Sequence, residues 1–471
     1  MNDILARLRE LRSGDLPTHG GRTLAYVYDS GLSEVDEIAA AAHALASSAN
    51  GLDPTAFPSL LRMENDLVAR AAGLLGGTPE TVGTVTSGGT ESCLLAVLAA
   101  RDARPDLAAP SIVLPETAHA AFHKAAHLFG VRKVVVPVDP DTFRADPAAM
   151  TAAIDESTVL VMASAPSYAH GVVDPITEIA AAASARGVRM HVDACIGGWV
   201  LPYFAKLGAD LPPFDFRVPG VTSISVDLHK YAYCAKGVSV LLHASAELRR
   251  THFFASAAWP GYTMLNPTLQ STRSGGPLAA AWAVVHHLGE DGYLQLASRT
   301  REAVGRIRAG VASLPGLRVL GDPVSTLVAF TGSDGFDLFT VADEMKMRGW
   351  YVQPQFAHGT SPLNLHLTVT AANHGSEPEF LADLAASVEA ARAEGPVRVD
   401  PDVAAFVAAL DPETLTSEQF GGLLAAAGLT GGDGLPERMA PVNALLAAAP
   451  EPLRERLLVE FLGALYTPSG S

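Results

Sequence analysis

Cysteine is scarce in this sequence. Only three cysteines occur among 471 residues, Cys93, Cys195 and Cys234, and no two of them form a CxxC pair. Disulfide frameworks and structural zinc sites both need closely grouped cysteines, in zinc sites often together with histidines. The sequence therefore predicts a protein of a reducing compartment, with neither a disulfide framework nor a metal site.

Basic charge and long apolar runs are lacking as well. Lysine and arginine number 33 against 50 acidic residues, a formal charge of −17, and no basic cluster marks a nucleic-acid surface. No stretch approaches the roughly 18 uninterrupted apolar residues of a membrane span, and the N-terminus lacks the apolar segment of a signal peptide. We expect a soluble, cytoplasmic protein with no membrane anchor and no nucleic-acid partner.

The sequence is rich in alternating strand and helix patterns. From about residue 61, β-branched runs such as SIVLPE, KVVVPV and TVLVMASAP alternate with helical segments. Continuous apolar strands of this kind are typical of a parallel or mostly parallel sheet that is covered on both faces. We predict an α/β fold with an N-terminal arm at 1–60, a large domain at 61–280, a smaller α+β domain at 281–395 and a helical extension at 396–471.

A glycine turn lies between the first predicted strand of the large domain and the following helix. It reads Ser87-Gly88-Gly89-Thr90. Glycines let a backbone approach an anion closely, and a helix N-terminus offers free N–H groups to it. An ordinary strand-to-helix turn capped by Thr90 explains the same residues, because neither GxGxxG nor Walker spacing is present.

Three more reactive residues follow predicted strands. Asp193 ends RMHVD, Lys230 follows SISVDLH, and His119 opens the helix after SIVLPE. Each has an ordinary interpretation as a turn cap, a surface lysine or a core histidine. Together with the glycine turn, they are the parts that hold pyridoxal 5′-phosphate on an α/β sheet: a phosphate cradle, a stacking ring, an acid for the ring nitrogen and a Schiff-base amine. His123 and His127 have no acid at a metal-ligand spacing.

The sequence resembles the group II pyridoxal-phosphate-dependent decarboxylases of fold type I, and within them the sphingosine-1-phosphate lyases and their bacterial relatives. The resemblance extends over roughly residues 20–390. The matching stretches are TSGGTES, AHAAFHKAAHLFG, SAPSYAHGVVDPITEIA, HVDACIGGWVLPYF, FDFRVPGVTSISVDLHKYAYCAKGVSVLL, SGGPLAAAWAVVHHLGEDGYL and GWYVQPQ. It implies that residues 61–280 form the domain that binds the cofactor.

The resemblance also implies roles for individual residues. Lys230 would hold the cofactor as a Schiff base, and Asp193 would pair with its pyridine nitrogen. Ala194 and His119 would pack on opposite ring faces. The other implied cofactor contacts are Gly88, Gly89 and Thr90 to the phosphate, His229 beside the lysine, and the segment at Thr272 and Arg273, which would reach the cofactor phosphate of a partner in a homodimer with active sites at its interface.

The implied substrate pocket departs from the lyase pattern. Tyr28 matches a pocket tyrosine of the family's GAVY motif, and Lys236 matches the second lysine of its HKYGYAPKG motif. Asp53 replaces a pocket histidine, Asp29 replaces a non-acidic residue, and Thr272 replaces a serine. A carboxylate at position 53 would repel a substrate phosphate and would suit an ammonium or hydroxyl groups.

The resemblance implies a carbon–carbon lyase that cleaves the Cα–Cβ bond of a β-hydroxy amine or amino acid by a retro-aldol reaction. The base for the hydroxyl proton would be Lys230 once freed, Tyr28 or His119. An amino-acid α-decarboxylase is the alternative, because the same apparatus breaks either bond at Cα. An aminotransferase and a non-catalytic scaffold are less favoured, since LNLHLTVTAANHG contains no arginine for a carboxylate and the expected cofactor contacts are all present.

Overall fold

A seven-stranded sheet organises the larger part of the chain. The computed structural model describes residues 2–333, 335–426, 436–466 and 468. The strands are β1 Val82–Thr86, β2 Ser111–Pro115, β3 Arg132–Val136, β4 Thr158–Ser164, β5 Arg189–Asp193, β6 Ser223–Asp227 and β7 Ser239–His243. Their order is β1-β7-β6-β5-β4-β2-β3, and only β7 runs against its neighbours. The predicted mostly parallel sheet is confirmed.

Four strands of the sheet are buried along their full length because helices cover both sheet faces. Every residue of β2, β4, β6 and β7 is buried. The helices that belong to this part of the chain are α1 Asn2–Leu11, α2 Ser33–Ala46, α3 Pro58–Leu74, α4 Gly89–Asp102, α5 Ala120–Phe129, α6 Pro147–Ala153, α7 Ile176–Ala185, α8 Gly197–Lys206 and α9 Ala246–Arg250. Burial on both faces explains why these strands have continuous apolar sequences rather than alternating ones.

A smaller antiparallel sheet follows a long helix. Helix α10, Gly275–Ser313, bends at Gly289, whose φ is 56°. The strands after it are β10 Leu317–Val319, β11 Leu327–Gly332, β12 Gln353–Gln355 and β13 Asn364–Thr368, in the order β10-β11-β13-β12. Helices α11 Leu338–Met347 and α12 Glu377–Glu394 pack on this sheet, around buried residues such as Trp350 and Phe380. The predicted boundary between the large and the small domain, at residues 280 and 281, lies within α10. This boundary stays a prediction.

Two further groups of elements complete the chain. A short hairpin, β8 Phe254–Ser256 and β9 Met264–Asn266, precedes α10. Four helices close the described chain: α13 Pro401–Ala409, α14 Ser417–Ala426, α15 Ala440–Ala448 and α16 Glu451–Leu465. Within the described residues, no helix combines the length and apolarity needed to cross a membrane.

Six strands of the large sheet end at the same edge. Parallel strands bring their carboxyl ends together, and the turns that follow them are the usual place for a ligand in such sheets. The glycine turn, the turn that opens α5, and the segments after β4, β5 and β6 all lie at this edge. The antiparallel β7 contributes its amino end there, at Gly237.

Candidate active site

A cavity of about 430 Å³ opens at this carboxyl edge. Its size falls within the usual range for small-molecule sites. It is lined by Ser87, Gly88, Gly89, Thr90, Glu91, Cys93, His119, Ser164, Pro166, Tyr168, Asp193, Cys195, Ile196, Asp227, His229, Lys230 and Gly237. The fold therefore brings four distant parts of the sequence to one cavity: the glycine turn, His119, Asp193 and the pair His229-Lys230.

Lys230 lies three residues beyond the end of β6 and points at an acid on the same turn. Its Nζ is 2.9 Å from Oδ2 of Asp227, and only 18% of the Lys230 side chain is exposed. Burial by itself lowers the pKa of Lys230, but the negative charge of Asp227 and the nearby Tyr28 outweigh it, so the pKa lies well above its usual value. Without a ligand the amine is therefore held as an ammonium.

Asp227 is a site residue that the sequence analysis did not single out. It accepts a hydrogen bond of 2.6 Å from Ser239 Oγ on β7, and His229 Nε2 lies 3.7 Å from its Oδ2. Burial raises the pKa of Asp227, but the positive charges of Lys230 and His229 lower it by more, so the carboxylate stays ionised. The signal was present in the sequence, since an acid ends β6 just as Asp193 ends β5.

Asp193 is held at the end of β5 by one side of its carboxylate. Oδ1 accepts hydrogen bonds from Cys195 N at 3.1 Å and from Ser225 Oγ at 3.4 Å. The strand register sets Ser225 opposite Asp193 on β6, and Ser225 Oγ also contacts His191. The neighbouring Ala194 is fully buried. The carboxylate is thus oriented by the sheet, and burial makes a cationic partner favourable for it.

The glycine turn leaves backbone N–H groups open to an anion, and it has no room for a side chain at Gly89. A Cβ on Gly89 would lie 2.7 Å from Asp227 Oδ2 and 2.8 Å from Cys195 Sγ, closer than heavy atoms pack. Gly88 immediately precedes α4, so the first N–H groups of that helix face the cavity. Glu91 Oε2 accepts a hydrogen bond of 2.6 Å from Ser87 N, which ties the start of the turn to the first turn of α4. Thr90 is exposed beside it.

His119 caps helix α5 at the mouth of the cavity. Its Nδ1 accepts a hydrogen bond of 3.2 Å from Ala121 N, and its ring meets that of Tyr168 edge to face, with centroids 6.4 Å apart. Tyr168 was not singled out from sequence either. It stacks on His366 of the small sheet at 4.4 Å, and its hydroxyl donates to Gln353 Oε1 at 2.6 Å. The small sheet therefore braces the open side of the cavity.

Tyr28 and Lys236 come together beside Lys230. Lys236 Nζ lies 4.7 Å above the Tyr28 ring and donates to Tyr26 O at 2.9 Å. Burial raises the pKa of Tyr28, and the positive charge of Lys230 opposes the rise in part. Desolvation by the surrounding protein, aided by the charge of Lys230, lowers the pKa of Lys236 to about 8, although its side chain is exposed.

Asp53 and Thr272 lie outside this cavity, in a larger neighbour of about 950 Å³ that shares Ser87 and Gly237 with it. Asp53 accepts hydrogen bonds from Thr55 N at 2.8 Å and from Thr55 Oγ1 at 2.6 Å, and these bonds lower its pKa. Both Asp53 and Thr272 are exposed. Their predicted parts in binding substrate and cofactor stay predictions.

Two neighbouring residues are tied to their own chain. Arg273 donates to Val85 O at 2.8 Å and pairs with Glu64 at 3.3 Å, so it fastens the segment before α10 to the end of β1. Asp29 accepts hydrogen bonds from Gly20 N at 2.8 Å and Gly31 N at 2.9 Å. It therefore orders the N-terminal segment around Tyr28.

Cys93, Asp193 and Cys195 form a buried group of metal-ligand atoms within 4.8 Å of one another. The sequence analysis predicted no metal site and did not foresee this group. The pKa of the Cys195 thiol is well above its usual value because of its hydrogen bond with Cys93 and its burial. Since Asp193 is also the acid available to a cofactor ring, we do not assign the group to a metal.

Comparison with known proteins identifies the family. Residues 23–332 match the pyridoxal-dependent decarboxylase conserved domain. The chain belongs to this family. Residues 401–464 match a second domain, described as the pyridoxal-dependent enzyme, C-terminal putative HTH domain. The predicted family and its cofactor, pyridoxal phosphate, are thereby confirmed.

Similar proteins include sphingosine-1-phosphate lyases of eukaryotes. The lyase of Dictyostelium discoideum is 42% identical over 349 residues, 74% of this chain and 65% of that protein. Sphingosine-1-phosphate lyase 1 of Rattus norvegicus is 37% identical over 82% of this chain and 68% of that protein. The match thus spans just under two thirds of the Dictyostelium protein.

Solved structures agree on the fold. The sphingosine-1-phosphate lyase of Burkholderia pseudomallei is 38% identical, with a TM-score of 0.79 over 83% of this chain and 91% of that one. Glutamate decarboxylase of Lactobacillus brevis shares the fold at 20% identity, with a TM-score of 0.73. These neighbours confirm the predicted fold type I architecture, with its large mostly parallel sheet and smaller second domain.

Proposed function

We propose that the protein is a pyridoxal-phosphate-dependent carbon–carbon lyase that cleaves the Cα–Cβ bond of a β-hydroxy amine or amino acid by retro-aldol chemistry. The observation that carries the proposal is its 38% identity to a bacterial sphingosine-1-phosphate lyase over 91% of that chain. When bound, the cofactor supplies a protonated ring that withdraws the electrons of the breaking bond. The chain's own residues bind and orient the reactants and move protons.

Lys230 and Asp193 would hold the cofactor at two points, its aldehyde carbon and its ring nitrogen. Lys230 Nζ would attach it covalently once the amine has lost its proton, and the ionised Asp227, 2.9 Å away, would hold the lysine in place. Asp193 would keep the ring nitrogen protonated, since its buried carboxylate favours a cation. His119 and Ala194 would pack on opposite ring faces, and His229 would adjoin the lysine.

The glycine turn would bind the cofactor phosphate. Gly88, Gly89 and Thr90 stand at the N-terminus of α4, where N–H groups and the helix dipole favour an anion. A side chain at Gly89 would collide with Asp227, so glycine is needed at the start of α4.

Proton transfer at the substrate hydroxyl would fall to Tyr28 and Lys236. Tyr28 keeps its proton near neutral pH because burial raises its pKa, whereas Lys236, with a pKa lowered to about 8, exchanges a proton close to that range. His119 Nδ1 is engaged by the backbone of α5, so a neutral His119 carries its proton on Nε2 and serves as a donor.

A product assay by mass spectrometry tests the reaction type. The holoenzyme would be incubated with amino acids, β-hydroxy amino acids, and phosphorylated and unphosphorylated amino alcohols. An aldehyde fragment from a β-hydroxy substrate is expected. Loss of carbon dioxide that leaves an amine would replace the proposal by amino-acid decarboxylation, the activity named for the family domain.

We further propose a homodimer in which the segment at Thr272 reaches the cofactor phosphate of the partner copy. The shared wall between the two cavities, at Ser87 and Gly237, supports an approach from that side. Light scattering coupled to gel filtration would test it, and a monomer at micromolar concentration would contradict it. The cytoplasmic location stays a prediction.

A further inference from the structure

The four C-terminal helices form a module with its own small core. We call the described residues of 401–466 the C-terminal module. Its buried residues include Val407, Leu415, Leu423, Leu453 and Leu457, which form one apolar cluster separate from that of the small sheet. The module is therefore a packed unit. Its polar contacts with the rest of the chain show which elements it positions.

The module is anchored to helix α11 of the small domain. Both oxygens of Asp343, which is 4% exposed, accept hydrogen bonds from the N-terminus of α15, from Met439 N at 2.9 Å and Ala440 N at 2.8 Å. Arg438 pairs with Glu344 at 2.7 Å. A buried carboxylate that satisfies a helix N-terminus fixes the orientation of the two elements.

A second set of contacts grips the tip of a hairpin between β12 and β13. His358 and Ser361 exchange two backbone hydrogen bonds, of 3.0 and 2.9 Å, which define the tip. On the module side, Glu451 Oε1 lies 2.6 Å from His358 Nδ1, and the Arg454 guanidinium lies 4.9 Å from the centroid of the Phe356 ring. The first turn of α16 thus holds one face of this tip.

The other face of the tip touches the large domain at the cavity turns. Thr360 N and Oγ1 both donate to Glu116 Oε1, and Ser361 Oγ lies 3.0 Å from His170 Nε2. The close approach needs a glycine at 359, because a Cβ there would lie 2.3 Å from Glu116 Oε2.

Glu116 and His170, the two large-domain residues that contact the hairpin tip, lie close in sequence to residues that line the cavity. Glu116 precedes His119 by three residues in the turn after β2, and His170 follows Tyr168 by two in the turn after β4. His119 and Tyr168 both line the cofactor cavity. The hairpin tip is therefore linked, through Glu116 and His170, to the two chain segments that carry these rings.

The charges of the module do not suit a nucleic acid, despite the description of its domain. Nine acidic residues stand against three arginines between residues 401 and 464. Arg438 pairs with Glu344, Arg454 donates to Leu446 O and Ala449 O, and Arg456 pairs with Glu460. The described module thus presents no set of free cations for a phosphate backbone.

We propose that the C-terminal module is a positioning element of the active site: through Glu451 and Arg454 it holds the 358–361 hairpin tip against Glu116 and His170, and so fixes His119 and Tyr168 over the cofactor. The inference rests on the proposed contact of His119 with the cofactor ring. The module thus resembles a putative HTH domain, but its contacts are with another domain of the same chain.

The test measures cofactor binding in full-length variants. Glu451→Gln removes the charge that meets His358, whereas Glu460→Gln is the matched control, because it removes a charge of the same helix that pairs only with Arg456 among the contacts described. Apoenzyme would be titrated with pyridoxal phosphate, with the visible absorbance giving Kd and the visible circular dichroism reporting ring orientation. Thermal unfolding of the apoenzyme would report fold stability.

Glu451→Gln should raise Kd about two- to fivefold, as expected for the weakening of one exposed polar contact, and should weaken the visible dichroism. Glu460→Gln should change neither. Thr360→Val, on the other face of the tip, should reproduce the effect, and the double variant should lose less than the product of the two single losses.

Unchanged Kd and dichroism in Glu451→Gln would overturn the proposal. Equal losses of cofactor affinity in Glu451→Gln and Glu460→Gln that parallel a loss of thermal stability would also overturn it. So would binding of duplex DNA by the wild-type protein at physiological salt, seen as retarded migration of the DNA in a gel. Failure of the lyase proposal would look different, because it would appear as absent aldehyde product from a wild-type enzyme that still binds the cofactor.

Discussion

The two neighbouring cavities are lined by different structural elements. The smaller one is lined by strand ends and the turns directly after them, and its charged groups, Asp193, Asp227 and Lys230, are largely buried and oriented by partners. The larger one is lined by residues of β1, α3 and α10 together with the segments at 51–55 and 262–274, and Asp53, in the first of these segments, is exposed. The carboxyl edge of the sheet therefore holds the reactive groups, while Asp53 and Thr272 lie on loop segments that can change without disturbing the sheet.

The largest expected effect separates the two lysines near the cavities. Lys230→Ala should abolish the visible absorbance of bound cofactor and lower turnover by roughly 10³–10⁶-fold, as removal of a covalent catalytic group does. Lys236→Ala should keep the absorbance and mainly change substrate kinetics. Spectra of the purified, cofactor-loaded variants measure the difference. A full visible band in Lys230→Ala would refute the assignment of the cofactor lysine.

Buried histidines around the smaller cavity should make stability depend on pH. Burial lowers the pKa values of His170, His191 and His366 to about 4, so between pH 6.5 and 4 the unfolded chain binds more protons than the folded one. Each histidine should then cost about 1.4 kcal/mol of unfolding free energy per pH unit as the pH falls through this window. Asp174, whose pKa is raised to about 6 by burial, opposes one of them.

Denaturant unfolding of the apoprotein between pH 4.5 and 7 measures this slope. His191→Asn should reduce the slope by the share of one histidine. The same variant is expected to be less stable than the wild type at pH 7, since Ser223 and Ser225 would lose their ring partner. A slope that is unchanged in the variant would show that another group titrates in this window.

Two adjacent glycines offer a finer test of the smaller cavity. Gly89→Ala should destabilise the fold by about 1–3 kcal/mol and weaken cofactor binding, because its Cβ would collide with Asp227 and Cys195. Gly88→Ala is the control for stability, since its Cβ would lie 3.7 Å from His229 Cε1, an ordinary contact, and its backbone is extended. Thermal unfolding of the apoproteins compares them. Equal losses of stability would mean that backbone freedom, not the collision, matters.

The smallest expected effect concerns the larger cavity. Asp53→His should shift the ratio of kcat/KM towards phosphorylated substrates by about two- to fivefold, because the charge of an exposed side chain is screened by water. Asp53→Asn, which keeps an oxygen for Thr55, separates the loss of charge from the gain of an imidazole. Cofactor absorbance should stay unchanged in both. A lost cofactor band would show that Asp53 acts on the smaller cavity, where the cofactor binds.

Much of the smaller cavity could be predicted from sequence because its residues lie at strand ends. The strand patterns before Ser87, His119, Asp193 and Lys230 already placed these residues at one edge of a parallel sheet, and the structure brings all four to one cavity. Asp227 could have been found by the same rule, since it ends a buried strand. Tyr168 could not, because its position depends on stacking against His366 from a different sheet.

The sequence by itself determined the α/β fold class, because apolar periodicity and local turn residues are encoded in short stretches that act over a few neighbours. Its resemblance to known stretches determined the family, and with it fold type I and the roles of the cofactor residues. Only the tertiary structure decided the contacts between distant segments. It set the pairing of Lys230 with Asp227 inside a desolvated cavity, and it placed Asp53 in the larger cavity. It also joined Glu451 to the hairpin beside Glu116. Packing between separately folded elements fixes such contacts, and no local pattern specifies it.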